Sequence, residues 1–148
     1  PYGYKHYVTD ELIPNHIIKP GKDKESKVLI FCYGYSLNQA LDIANNLFLE
    51  YEIFVEIVCP ENISPLNSYP IEVAINNKDA AIFIEEGPIF GSVSSQIISC
   101  LGQQKLLPNH VKIYGNDSVI PASKEAESEL LVTTQKIIDD LSDMRIIW

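Results

Sequence analysis

The run Val28 to Tyr33 is continuously apolar or aromatic, without a single charge or amide. A strand with one wet face alternates apolar and polar residues. A strand covered on both faces does not, and that is the situation of a parallel sheet flanked by helices. This segment therefore predicts the middle of a sheet, and it demands amphipathic helices on either side of it. The first follows at once: Leu37, Ala40, Leu41, Ala44, Leu47 and Phe48 recur at the spacing of one helical face. Ser36 and Gln39 have the positions of a capping box at its start.

The same alternation of elements continues down the chain. Ile53 to Cys59 is the next expected strand, ended by Pro60, which cannot donate to a ladder. A short helix is expected over Ser68 to Asn76, and a third buried strand over Ala80 to Ile84, running into Glu85-Glu86-Gly87. Ser92 to Gln103 carries Val93, Ile97, Cys100 and Leu101 at helical spacing, and Val111 to Tyr114 alternates as an outer strand should. Ala122 to Ser142 reads as a long closing helix. Strand and helix in turn give parallel crossovers of one hand, hence a three-layer α/β/α sandwich as one domain over residues 28–148. Residues 1–27 mix tyrosine, proline and lysine without helical period and read as an extended arm, with at most a short edge strand over Asn15 to Lys19.

Composition narrows the function classes. Twenty acidic against 11 basic residues leave a net charge of −9, the wrong sign for neutralising a phosphate backbone, so no nucleic acid is expected as a partner. No apolar stretch approaches the length that crosses a bilayer, so no membrane is expected either. Three cysteines cannot form a disulfide framework, and with no secretory signal at Pro1 the expected compartment is the cytoplasm. A first residue other than Met leads to the expectation that the chain is part of a longer polypeptide.

Candidate chemistry is sparse. Gly34-Tyr35-Ser36-Leu37-Asn38 lies between a strand and a helix, as a hydrolase nucleophile elbow does, although Asn38 replaces the second glycine. A Ser hydrolase would need Ser36, Asp79 and His110 to converge. Cys32, Cys59 and Cys100 lack metal or redox spacing and read as small buried hydrophobes. His6, His16 and His110 lack paired ligand spacing, so no metal site is expected. Glu85 and Glu86 are neighbours in an extended segment and must point to opposite faces, yet they stand at the carboxyl end of a central strand, where open α/β sheets form ligand crevices. Gly91 before Ser92 could bare backbone N–H groups to an anion. No phosphate-cradling glycine motif occurs.

Four segments in register, Val28 to Gly34, Ile63 to Asn67, Ile84 to Gly87 with Gly91, and Gly115-x-Asp117-x-x-x-Pro121, resemble the transketolase C-terminal domain family. The form they are most similar to is that of the beta subunit of thiamine-diphosphate-dependent 2-oxo acid dehydrogenases. The resemblance spans Val28 to Leu141. It departs from the family at Gly91 to Gln96, where serines stand for two glycines and Gln96 for an acid, and at Cys59 to Asn62.

The resemblance implies a five-stranded, mostly parallel mixed sheet in order 1-3-2-4-5, with Asn15 to Lys19 as the antiparallel first strand. It implies that Gly34, Tyr35 and Ser36 meet Glu85, Glu86 and Gly87 at the topological switch point. With Phe90, Gly91 and Asp117 they would form a subunit interface or a ligand crevice, and no residue of this domain would be catalytic. Thiamine diphosphate and Mg would be bound by other domains of the parent enzyme. The implied partners are those domains or subunits, in a homo- or hetero-oligomer, and an acyltransferase core. The alternative is a stand-alone small-molecule-binding or regulatory domain using the switch-point crevice, for which an anionic ligand is expected.

Overall fold

The strand at the centre, β3 (Ser26–Phe31), is buried on both sides, with Val28, Leu29, Ile30 and Phe31 fully excluded from solvent. In the computed structural model, which describes residues 3–22, 24–117 and 132–146, this strand is sandwiched between two parallel neighbours, β4 (Phe54–Pro60) and β5 (Ala80–Ile84). The outer strands are β1 (Tyr4–Val8), β2 (Asn15–Pro20) and β6 (His110–Tyr114), and the order across the sheet is β1-β2-β4-β3-β5-β6. β6 runs parallel to β5. β2 is antiparallel to both β1 and β4.

The helices divide between the two faces because alternate residues of each strand point to opposite sides. Val28, Ile30, Val55, Ile57, Ala80 and Ile82 meet α1 (Ser36–Tyr51) through Ala40, Ile43, Ala44 and Leu47, and α4 (Thr134–Asp143) through Ile137, Ile138 and Leu141. On the other face Leu29, Phe31, Val58, Ala81 and Phe83 meet α2 (Tyr69–Ala74) and α3 (Val93–Gln103) through Ile71, Ala74, Ile97 and Leu101. This is the expected three-layer sandwich, with six strands rather than five. Removing β1 leaves the expected order, with β2 as the antiparallel first strand.

The sixth strand comes from the N-terminal segment, where β1 and β2 form a hairpin with Tyr4 opposite Pro20 and Val8 opposite His16. β2 is consequently interior, and β1 takes the edge. Its anchor is Tyr4, whose hydroxyl accepts the Val55 N–H at 3.0 Å and whose ring lies against Phe54. The hairpin also brings together two histidines that are far apart in sequence. The His6 Nε2 and His16 Nδ1 atoms are 2.9 Å apart, and His16 Nε2 lies 2.9 Å from the Glu61 carboxylate. No regular spacing signals that pairing; it follows only from the hairpin register.

Helix boundaries fall close to the periodicity, but the capping box does not form. Tyr35 is the N-cap of α1 and its side chain makes no cap bond. Gln39 instead donates to the Val132 carbonyl, and Ser36 folds back to the Tyr33 carbonyl in the turn after β3. Of the expected closing helix, Thr134 onward is helical and residues 122–131 lie outside those described. Cys32 and Cys59 are buried as expected, whereas Cys100 is exposed on α3. The pair is in contact: hydrogen bonding with Cys59 and burial push the Cys32 thiol up, while the bond from Cys32 pulls Cys59 down.

Asp140 ties α4 to the outer strand, accepting Lys112 Nζ at 2.6 Å and the Tyr114 hydroxyl at 2.8 Å. The lysine, first, and the tyrosine hold its carboxyl below the usual carboxylate range, against the effect of burial. A depressed folded value contributes stability above the unfolded value of about 3.9, lost as pH falls through the folded one. Lys112→Met is therefore expected to lose less stability than the parent between about pH 6 and about pH 3. The difference in urea-derived free energy should be under about 1 kcal/mol because solvent screens the pair.

Candidate functional site

The connections leaving β3 and β5 pass to opposite faces of the sheet, α1 with one core and α3 with the other. Adjacent strands whose crossovers diverge open a crevice at their carboxyl ends. Here it holds Glu85 and Glu86, and the two side chains part as adjacent extended residues must. Glu86 Oε1 accepts the N–H groups of Tyr35 at 2.6 Å and Ser36 at 3.3 Å, the first of α1. Glu85 Oε1 accepts the N–H of Ser94 at 2.7 Å in the first turn of α3, and its other oxygen takes the Tyr33 hydroxyl. Each carboxylate thus fills orphan donors at the positive end of a different helix.

Gly34 makes the first of these contacts possible. Its φ is +61°, and a Cβ there would lie 2.8 Å from Glu86 Oε1. Ser36 Oγ donates to the Tyr33 carbonyl at 2.5 Å and lies 3.2 Å from the Tyr33 N–H, closing the turn on itself. Burial, then Glu85, push the Tyr33 hydroxyl well above the usual tyrosine value. Glu85 is only 8% exposed, so its two bonds are what make a buried carboxylate tolerable.

The loops after β5 and β6 are joined to each other. Asp117 Oδ1 accepts the Ile89 N–H at 2.7 Å, the Asn116 N–H reaches the Gly87 carbonyl at 3.0 Å, and the Glu85 N–H reaches the Tyr114 carbonyl at 2.8 Å. Gly115 is the closest approach, for a Cβ there would sit 2.7 Å from the Gly87 oxygen. Gly91, with φ +71°, turns the chain toward Ser92, the N-cap of α3, whose hydroxyl accepts the Ser95 N–H. The structure brings Gly34, Tyr35, Ser36, Glu85, Glu86 and Gly87 to the switch point, and holds Phe90, Gly91 and Asp117 on the adjoining loops. Gly115 and Tyr33 are the residues that sequence reasoning left out of the site. The glycine stood in a quoted motif without a role, and the tyrosine was taken for part of the strand.

Three expectations need correction. The Ser, Asp, His trio does not converge: Ser36 follows the carboxyl end of β3, whereas Asp79 and His110 lie at the amino ends of β5 and β6, across the length of the sheet. The backbone N–H groups at the start of α3 are largely spent within the protein rather than offered to an anion, because Ser92 donates to Ile89, Ser94 to Glu85 and Ser95 to Ser92. Nor does the crevice suit an anionic ligand. Its roughly 410 Å³ recess is walled by Tyr35, Gln39, Ile84 and Val132 and holds two carboxylates, with no lysine or arginine among its described lining residues. The diphosphate of thiamine would meet repulsion there rather than a cradle. Among the described residues no group of three or more His, Cys, Asp or Glu side chains is placed to hold a metal ion.

A model of the family "Transketolase, C-terminal domain" matches residues 19–137. The chain belongs to the transketolase C-terminal domain family. Two solved structures show the same fold. One is a split-gene transketolase solved as an inactive β4 tetramer, 21% identical over 81% of this chain and 40% of that one, with a TM-score of 0.68. The other is the 2-oxoglutarate:ferredoxin oxidoreductase of Magnetococcus marinus, 12% identical over 86% of this chain and 19% of that one, with a TM-score of 0.57. This transketolase C-terminal domain chain thus spans less than half the length of either. No curated protein matches it.

The geometry makes two substitutions informative. Gly34→Ala is expected to cost about 1–3 kcal/mol, from left-handed backbone strain and displacement of Glu86. Tyr33→Phe is expected to cost about 1.5–3 kcal/mol by removing a donor from a buried carboxylate. A raised tyrosine value contributes stability below the free value of about 10 that is lost as pH rises through the folded one. The phenylalanine variant should therefore lose less stability than the parent above about pH 10, as read from chemical denaturation at fixed pH.

Proposed function

We propose that this chain is the assembly domain of a thiamine-diphosphate-dependent enzyme of the transketolase or 2-oxo acid dehydrogenase class, inactive alone, which docks its carboxyl-end surface on another domain or subunit. The observation that carries the reading is Phe90, 95% exposed on a loop whose backbone is pinned on both sides, with Tyr35 82% exposed on the adjoining turn. Leu12 and Ile63 extend the same end of the sheet outward, at 98% and 40% exposure. Large apolar side chains held rigidly in water mark contact surfaces. At the C-terminus Ile146 is buried against the α1 face and adds nothing to this surface, and Ile147 and Trp148 lie outside the described residues.

Several features support the reading. The crevice carboxylates are consumed in holding α1 and α3, and Ser36 in closing its turn, so neither is offered as an acid, base or nucleophile. The family match and the two structural neighbours are consistent with a part of a larger thiamine enzyme. In this proposal thiamine diphosphate and its Mg belong to other domains, the docking partner is another subunit or domain of the same enzyme or its acyltransferase core, and the compartment is the cytoplasm. No described helix is long and apolar enough to cross a membrane. The second reading, a ligand in the switch-point recess, is favoured by the apolar walls of Tyr35, Ile84 and Val132, and the carboxylates restrict it to a neutral or cationic molecule.

Size-exclusion chromatography with light scattering tests the docking surface. The chain should run as an oligomer at micromolar concentration and Phe90→Asp as a monomer with an unchanged far-UV circular dichroism spectrum, because Phe90 contributes nothing to the core. Monomers in both cases would remove the proposal's main support.

A further inference from the structure

The positive charge of this acidic chain is concentrated at the end of the sheet opposite the crevice. Lys5, Lys19, Lys22, Lys24, Lys27 and Lys78, out of 11 basic residues in all, stand around the amino ends of β3 and β5 and the facing ends of the β1–β2 hairpin. Part of this arrangement is unfavourable for the fold, since Lys5 and Lys19 are directly opposite one another in the antiparallel β1–β2 pair, and like charges so placed repel. A recess of about 530 Å³ opens beside them, lined in part by Tyr7, Lys19, Lys22, Asn76, Asn77 and Lys78.

Its floor is a buried ion pair. Lys78 Nζ lies 3.1 Å from Glu56, their side chains 8% and 12% exposed, and the Ser26 hydroxyl lies 3.5 Å from the same carboxylate. That pair is neutral as a unit, so the rim decides the sign of the recess. On the rim, Lys24 rests its ammonium over the Phe54 ring, 4.4 Å from the centroid, and Lys19 rests over Tyr7 at 5.2 Å. No described carboxylate lies within ion-pair distance of Lys19 or Lys22. Glu25 is the one acidic residue among the described lining residues besides Glu56. Across from the lysines, Asn77 is held in a left-handed turn with φ 60° beside Asn76, and side-chain amides there supply neutral donors and acceptors.

We propose that this recess binds a small phosphate-bearing anion, its phosphate between Lys19 and Lys22 and its remaining polar groups against Asn76 and Asn77. Lysine ammonium groups are point-charge partners for phosphate, and the volume is that of a small-metabolite site. The net charge of −9 disfavours a long polyanion, which would extend past the lysines onto acidic surface.

Calorimetric titration of the chain with inorganic pyrophosphate, alongside 15N amide shifts, tests the assignment. The expected result is saturable one-to-one binding, with shifts centred on residues 19–22 and 76–78. Affinity should fall at least tenfold in the double variant Lys19→Gln, Lys22→Gln and less than twofold in Lys105→Gln, Lys136→Gln, which removes the same charge elsewhere. All four lysines except Lys19 are exposed and Lys19 is half-buried, and the single variant Lys22→Gln, from an exposed turn, should reproduce a several-fold loss in a fold that melts as the parent does. The assignment is overturned by absence of saturable binding, by equal losses in the two double variants, or by shifts centred elsewhere. It is equally overturned if sulfate binds as tightly as pyrophosphate, which would mean a generic anion effect, or if a polyglutamate peptide binds more tightly, which would mean an acidic protein segment.

Discussion

The pairing of β3 with β4 on one side and β5 on the other is the constraint from which the rest follows. A strand whose residues Val28 to Phe31 are all excluded from solvent needs a helix layer on each face, and the chain supplies them by sending the connection after β3 to one side and that after β5 to the other. Divergence at that point leaves two helix N-termini flanking one gap, each with unfilled N–H donors. Glu85 and Glu86 answer that geometry. Being adjacent in an extended segment, they reach opposite faces, so two consecutive carboxylates satisfy two helices that never share a layer.

Much of this was legible from residue pattern. Val28 to Phe31 and Ala80 to Ile84 announced covered strands, Ala40, Ala44 and Leu47 announced the face of α1, and four short motifs announced the family and with it the sheet order. What stayed hidden depended on partners distant in sequence. Ser36 and Gln39 have capping-box spacing, but local spacing cannot reveal that Glu86, just past the neighbouring strand β5, reaches the N–H groups at the start of α1, leaving Gln39 free for Val132 and Ser36 for Tyr33. The β1–β2 hairpin was obscured by prolines and tyrosines that looked like an arm. With the hairpin unseen, the His6–His16 contact and the Lys5–Lys19 opposition could not be read either.

The two ends of the sheet have contrary electrostatics. At the carboxyl end the helix termini are neutralised by the chain's own glutamates, so the surface there is apolar at its tips and acidic in its cleft. At the amino end Lys78 and Glu56 cancel in the floor, and the surrounding lysines face water. Net charge alone reports only the sum, and a chain at −9 conceals a local excess of the other sign.

The cross-bracing of the loops after β5 and β6 has a thermodynamic corollary. Ile89 is tied to Asp117, Asn116 to Gly87, and Gly115 admits an approach that any other residue would block, so the segment presenting Phe90 is already immobilised before it meets anything. An encounter at that tip forfeits little backbone entropy, and the aromatic ring can deliver most of its desolvation gain as affinity.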